Sequence, residues 1–362
     1  MRFPEFSGEW ENKTLKSVLK CHDNFRIPLS DKQRKNMKGQ YAYYGANGII
    51  DFIDKFIFNG NYILLAEDGG KFDEFRTKPI AHKASGKFWV NNHAHVLSTN
   101  NILDFVFYQL EHKDIRSFIN IGSRSKLNKN DMFNIIISLC SLKEQSKIAN
   151  FLSLIDKRIE LQNKIIKNYE LLKKVLNYRL FNYDNDNSFL RFPEFSGEWT
   201  KRKIKNILKC YSTSYSMVDI LLEGETPIYD ANTLVGYINE CGYKEKYIAI
   251  IKDGASVGTI RLLPKNTTHI STINGLLSQT ENIDFLYFAL QGLNFTKYIV
   301  GSGIPHIYFR DYSSMNISIP SSKEQLKIAN FLSKLDEILL NVKCEKERLI
   351  KNKTFLLQNL FI

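Results

Sequence analysis

The chain of 362 residues contains no apolar run approaching the ~18 residues that a membrane-spanning helix requires. A helical anchor is therefore excluded, and no membrane partner is expected through one. No apolar stretch follows Met1-Arg2-Phe3-Pro4, so no secretory signal is expected and the cytoplasm is the expected compartment. Cysteine is scarce: five residues, scattered, with no C-x-x-C pair. That argues against a disulfide framework or a zinc cluster. Cys21 and Cys210, each about eleven residues beyond a tryptophan, read as small buried apolar residues.

Catalytic signatures are missing too. Without G-x-x-x-x-G-K-[ST] no P-loop nucleotide site is expected, and no G-x-G-x-x-G follows a strand pattern. Neither Asn-Pro-Pro-Tyr nor Asp-Pro-Pro-Tyr occurs, as a self-sufficient amino-methyltransferase would need. No Pro-Asp followed by Glu-x-Lys marks a nuclease. His93-Ala94-His95 has strand spacing, but no cysteine or acid lies beside it in sequence. Two satisfied or exposed histidines are expected there, and no metal site.

What is present is positive charge, net +12 with an isoelectric point near 9.2. An anionic partner fits, and nucleic acid and an acidic membrane surface both qualify. A lysine-heavy genome would give the same excess. The length accommodates two or three domains.

The second positive feature is repetition. Arg2-Phe3-Pro4-Glu5-Phe6-Ser7-Gly8-Glu9-Trp10 returns unchanged as Arg191 to Trp199. Lys143-Glu144-Gln145 and Lys147-Ile148-Ala149-Asn150-Phe151-Leu152-Ser153 return as Lys323-Glu324-Gln325 and Lys327 to Ser333. Most of what lies between these frames differs. Two related but non-identical surfaces on one duplicated scaffold suit a target with two different halves.

Each repeat ends in a long helical pattern. Ser141 to Glu144 and Ser321 to Glu324 read as capping boxes. Apolar residues then recur in steps of four and three: Ile148, Leu152, Ile155, Ile159, Ile166, Tyr169, Leu176, Leu180, and Ile328, Leu332, Leu335, Leu339, Val342, Leu349, Leu356, Leu360. The two sets share a heptad frame offset by 180 residues, and Lys173 and Lys353 break it at the same place. No proline or glycine interrupts either run. The period predicts two helices of ~40 residues, ~60 Å each, that pair antiparallel as a coiled coil. The other arrangement open is two helices packed separately on their own domains. Asn182 to Ser188, rich in Asn and Asp, reads as a linker.

The variable parts, about 10–140 and 199–320, read as mixed α/β domains. Tyr62 to Ala66, Tyr247 to Ile251, Asn134 to Ile137 and Asn316 to Ile319 are strand-like, and Asp104-Phe105 and Asp284-Phe285 open short helices. The expected fold class is α+β: two such domains in tandem, separated by two long antiparallel helices with pseudo-two-fold symmetry. The expected divisions are 1–142, 143–182 (helix), 183–190 (linker), 191–322 and 323–362 (helix).

The helix opening Lys-Glu-Gln-x-x-Lys-Ile-Ala-Asn-Phe-Leu-Ser, with Asp156 or Asp336 three residues later, the Phe-Pro-Glu-Phe-x-Gly-x-Trp segment and the duplication resemble the specificity subunit of Type I restriction-modification enzymes. The resemblance covers the whole chain. It implies two target-recognition domains, each binding one half of a bipartite site in double-stranded DNA. It also implies that the long helices act as spacers and dock two methyltransferase subunits. S-adenosylmethionine would belong to those subunits, and ATP and Mg²⁺ to separate motor and restriction subunits, with no cofactor in this chain. Gly301-Ser302-Gly303-Ile304-Pro305-His306 and Ile319-Pro320 fit the family pattern. Gly122-Ser123-Arg124-Ser125-Lys126-Leu127 and Leu139-Cys140 depart from it. A self-contained DNA methyltransferase or nuclease, and a protein-binding scaffold, are the competing readings.

Two loops per domain are the candidate DNA contacts. One follows the apolar strand: Gly69, Gly70 and Lys71, and Lys252, Gly254 and Ser256. Glycines there let backbone N–H groups approach a phosphate. The other is the Gly-Ser loop: Ser123, Arg124 and Lys126, and Ser302 and Gly303. Lys129, Arg261 and Arg310 add nearby charge, and Asn91, Asn92 and His269 are candidate base readers. Lys157, Arg158, Lys164, Lys167, Lys173 and Lys174 crowd the first helix, either to line DNA or to solvate the faces off the seam.

Overall fold

A computed structural model describes residues 2–121, 125–181 and 190–361. The chain forms two compact units, residues 1–164 with 343–362, and residues 165–342. Each unit therefore holds one variable domain, the near part of one long helix and the far part of the other.

In the first unit, six strands line up in the order Leu19–Cys21, Ala94–Thr99, Phe58–Ala66, Ala81–Val90, Lys38–Gly45, Gly48–Ile53. All neighbours are antiparallel except Lys38–Gly45 with Ala81–Val90. The central strand is buried on both faces, and its two-residue period divides it. Ile63 and Leu65 join the main core, with Phe105, Val106 and Leu110 of helix Leu103–Glu111. Leu64 packs oppositely with Phe58, Ala84, Phe88 and Val96.

The second unit repeats this plan with one break. Leu208–Ser212, Ile273–Ser278, Tyr247–Ile251 and Ile260–Leu263 form a four-stranded sheet. Leu234–Ile238, Thr226–Tyr229 and Thr268–His269 form a separate one. The continuous strand Ala81–Val90 corresponds to the two pieces Ile260–Leu263 and Thr268–His269. Between them Pro264 lacks a ladder N–H, and Asn266 takes φ +59°.

The verbatim repeats meet at the start of each long helix, Leu142–Phe181 and Ser322–Leu360. Strand Glu11–Thr14 pairs antiparallel with Ile136–Leu139 and brings the opening motif onto the helix. Arg2 donates from Nε and Nη2 to the two carboxylate oxygens of Glu144 at 2.7 and 2.8 Å, and Trp10 Nε1 donates to the same group at 3.3 Å. The second unit reproduces this clasp with Arg191, Trp199 and Glu324 at 2.7, 2.8 and 3.2 Å. Gln145 and Gln325, both buried, accept from the backbone of Ile102 and Asn282. The expected capping boxes are thus only half formed. Ser141 and Ser321 accept from the N3 amides, but each glutamate turns to its arginine, the stronger charge-assisted partner.

The predicted seam residues are buried or half-buried throughout. Ile148, Leu152, Ile328, Leu332 and Leu349 are buried, and Ile155, Ile159, Ile166, Tyr169, Leu335, Leu339 and Val342 half-buried. In the first unit Leu357 and Leu360 share the core of Ile148 and Leu152. Asp156 faces Lys353, and Arg158 faces Glu345 eight residues earlier, so these helix segments run antiparallel. The two seam lysines are accommodated by acids. Lys353 Nζ lies 2.8 Å from Glu111 and 2.7 Å from Asp156, while Lys173 Nζ lies 2.5 Å from Asp336.

Candidate DNA-reading surface

The two loops picked from the second half of the sequence lie side by side, and in the first half the glycine loop lies beside the described end of the Gly-Ser loop, Ser125 to Leu127. In the first unit Glu67 donates its N–H to His93 O at 2.9 Å and accepts from Leu127 N at 2.7 Å. Asp68 and Lys126 bridge the same two segments. Arg26 ties in a third segment by donating to Ala94 O and to Glu67 Oε2 at 2.8 and 2.6 Å. The second unit repeats the layout: Lys252 N to Thr272 O, Ile307 N to Lys252 O and Gly254 N to Pro305 O, each 2.9 Å, with Ser271 N to Tyr215 O at 2.7 Å. Both ends turn at an equivalent glycine, Gly69 at φ +63° and Gly254 at φ +97°. An added Cβ meets nothing at either position, so the glycine is needed for its left-handed backbone.

The candidate residues separate on this frame. Lys71, Lys126, Lys129, Ser256, Ser302, Gly303, Arg310 and Asn92 are exposed, and Gly70 and Lys252 half-exposed. Lys126 Nζ is 3.2 Å from Glu67, and Lys71 is 3.7 Å from Glu74. Arg310 extends over the Tyr308 ring at 4.9 Å. Ser123 and Arg124 lie outside the described residues.

Two candidates, His269 and Asn91, are corrected because they are buried, while Arg261 is half-exposed. His269 is fully buried and occupies the core position that Val90 holds in the first unit. It stacks on Tyr243, approaches the Tyr243 hydroxyl at 3.2 Å, and burial lowers its pKa to about 4. A neutral core ring offers no edge to a base. Asn91 is 5% exposed, and its Oδ1 accepts from His93 N at 2.8 Å, which makes it a turn former. Arg261 donates to the carbonyls of Asp230 and Ala231 at 3.3 and 3.2 Å and packs over Tyr229, so it braces a hairpin. On the first helix, Lys164 pairs with Glu160 and Lys173 with Asp336.

Sequence reading missed Asp23 and Arg26, which with Glu67 at the start of the glycine loop surround buried His95. His95 Nδ1 is 2.6 Å from Asp23 Oδ2, and Nε2 is 3.0 Å from Leu127 O. Burial opposes the Asp23 charge, but His95, the Val96 amide and Arg26 outweigh it and hold the carboxyl at about 2. Burial also works against Glu67, yet Arg26 and its neighbours keep its pKa below the ordinary value. Cys21, Asp23 and His95 bring three ligand-type atoms within 4.8 Å of one another. Both imidazole nitrogens and both oxygens of the Asp23 carboxylate have hydrogen-bond partners, so the three residues belong to one hydrogen-bonded cluster. Sequence carries no local signal for it, because its members come from four separated segments.

Equivalent positions in the second unit carry different chemistry. Ser212 and Asn274 stand where Asp23 and His95 stand and bond each other at 2.7 Å, and Lys252 replaces Glu67. A constant clasp thus carries two divergent loop clusters, the arrangement of a two-headed recognition protein.

The chain belongs to the family described as Type I restriction modification DNA specificity domain, which matches residues 7–171 and 196–351. This family comprises non-catalytic DNA-recognition subunits. A putative type I restriction enzyme specificity subunit of Haemophilus influenzae is 26% identical over 91% of this chain and 89% of its own length. A putative type I specificity subunit of Mycoplasma pneumoniae is 27% identical over 85% of this chain and 84% of its own. The crystal structure of a type I S subunit from M. genitalium has a TM-score of 0.72 at 21% identity, covering 98% of this chain and 96% of that one. Among the described residues no helix is long and apolar enough to cross a membrane.

Proposed function

We propose that this chain reads a split, asymmetric DNA site, one half with each unit, and acts in the cytoplasm. The observation that carries this is the paired loop cluster. Both units bring the same two loops to one sheet end, yet Lys252 takes the place of Glu67, and Ser212–Asn274 that of Asp23–His95. One scaffold with two chemistries fits two different half-sites. Exposed Lys71, Lys129 and Arg310 supply phosphate or guanine contacts. The partners in this reading are two methyltransferase subunits, which supply S-adenosylmethionine, and motor and restriction subunits, which supply ATP and Mg²⁺ chemistry.

Co-expression with candidate methyltransferase subunits, followed by long-read mapping of modified bases, tests the proposal. A new split motif is expected. Replacing residues 15–135 with another such domain should change one half of that motif only. A change in both halves would overturn the division of labour, and a stable complex with no motif would favour a scaffold.

A further inference from the structure

The two units differ at a packing point away from their loop clusters. Helices Leu103–Glu111 and Ile283–Gln291 are equivalent, and Gln109 of the first corresponds to Ala289 of the second. Gln109 donates from Nε2 to Ser138 O at 2.8 Å and accepts from Ser138 N at 2.9 Å. Its carboxamide thus closes the outer edge of strand Ile136–Leu139, whose inner edge pairs with Glu11–Thr14. Ser318 is the equivalent of Ser138 and lies opposite Lys201. Ile204 N bonds Met315 O at 3.0 Å. In an antiparallel ladder bonded pairs alternate, so Arg202 with Ile317 and Thr200 with Ile319 are bonded, and Ser318 N–H and C=O point outward. Ala289 has no polar atom to meet them.

The next positions shrink or lose polarity as well, His112 and Lys113 giving way to Gly292 and Leu293. Together these changes leave a cavity of about 280 Å³ lined by Ser318, Ala289, Gly292, Leu293, Phe181 and Asn177. Asn177 is 8% exposed and donates from Nδ2 to Gln291 Oε1 at 3.2 Å. Its Oδ1 has no hydrogen-bond partner among the described residues. The first unit carries Leu357 at this position, packed in its core.

We propose that this cavity binds the adenine ring of a free nucleoside. A ligand that takes the role of Gln109 must present a donor beside an acceptor on one edge, the donor for Ser318 O and the acceptor for Ser318 N. Asn177 Oδ1 calls for a further N–H. The amino group of adenine has two N–H bonds and sits beside a ring nitrogen that accepts. A lone carboxamide carries the same pattern but leaves most of the space unfilled. A purine adds flat apolar faces against Phe181 and Leu293, the usual make-up of a small-molecule pocket. The first unit has no such site, because its own glutamine lies on the strand edge.

Calorimetric titration of the full chain with adenosine tests this. One site per chain is expected, with a dissociation constant on the order of 0.1 mM, the scale for a ligand of this size. Purine riboside lacks the amino group, and cytidine offers the same edge on a smaller ring. Each should bind about tenfold more weakly or worse. This comparison uses the native chain and depends on no variant. Ala289→Gln copies the first unit and should lay its carboxamide on Ser318, abolishing adenosine binding. Asn177→Leu copies Leu357 and should weaken binding on the order of fivefold, the scale of one neutral hydrogen bond.

No saturable binding at millimolar adenosine would overturn the proposal. Purine riboside or cytidine binding as tightly as adenosine would do so too, as would adenosine binding that survives Ala289→Gln in a folded chain. If adenosine fails and Ala289→Gln also blocks assembly with methyltransferase subunits, the cavity belongs to a partner's side chain and the nucleoside reading falls.

Discussion

Lys353 Nζ sits 2.7 Å from Asp156 and 2.8 Å from Glu111, beside the apolar core that Leu357 and Leu360 share with Ile148 and Leu152. The Tyr108 hydroxyl donates to the same aspartate at 2.7 Å. Burial opposes the lysine charge, but the two carboxylates outweigh it and raise its pKa. A polar layer of this kind fixes helix register more than it adds stability. Lys353→Ala would strand two acids in the seam and should cost roughly 3 to 5 kcal/mol. Replacing all three with neutral residues of similar volume should cost much less. Urea denaturation of the set checks the difference, and equal losses would refute the register role.

The clasp gives a second expectation. Glu144→Gln removes the charge from a bidentate arginine pair and should destabilise the first unit by roughly 2 kcal/mol. Glu324→Gln should do the same in the second unit. Hydrogen exchange should localise each effect to one helix start, and a loss spread over both units would contradict the clasp.

Asp23 predicts an acid limb. Its pKa is about 2 in the folded chain against an ordinary 3.8. A depressed carboxylate contributes stability that is present above its unfolded pKa and lost as pH falls through the folded one. Stability should therefore decline between about pH 4 and about pH 2, and Asp23→Asn should flatten that part of the curve. Denaturant titrations across the window decide it.

His269 works in the opposite sense to a histidine that gains a partner. Its folded pKa, about 4, lies below the ordinary 6.5, so the unfolded chain binds more protons between them. Its contribution to stability is full above the upper value and shrinks as pH falls toward the lower. His269→Val should remove this dependence and leave the DNA motif unchanged. An altered motif would restore it as a base reader.

Arg310 is the simplest phosphate or guanine probe, being exposed and off the core. Arg310→Ala should weaken DNA binding. A phosphate role would lower the salt slope by about 0.9 and leave the motif intact. A base-reading role would relax one position of one half-site. Binding unchanged at all salt concentrations would remove it from the surface.

Much of the scaffold was legible because it depends on local pattern and repetition. The seam residues Ile148 to Leu349 follow from a heptad period, and the central strands from apolar runs. Glu144 illustrates what local pattern misses. Its spacing from Ser141 suggests a capping box, but Arg2 lies 142 residues away and outcompetes the cap. The reading surface was less legible for the same reason. Loop glycines marked its position, whereas Asp23, Arg26, Glu67 and His95 meet only through sheet pairing. Pro264 interrupts the strand pattern just before His269, so nothing local marks that histidine as a core residue.

The short ladder joining Glu11–Thr14 to Ile136–Leu139 has a topological consequence. The chain leaves the scaffold and re-enters it about 4.8 Å away, the spacing of neighbouring strands. Everything between residues 14 and 136 is thus an insertion into a loop already closed. Its length and sequence can change without adding to the closure entropy that the scaffold has met. The second ladder, Thr200–Lys203 with Asn316–Ile319, makes an identical socket. Each head is a cassette closed at its two ends by the ladder, and Ile102, Tyr108 and Glu111 are the points in the first at which its content also grips the helices.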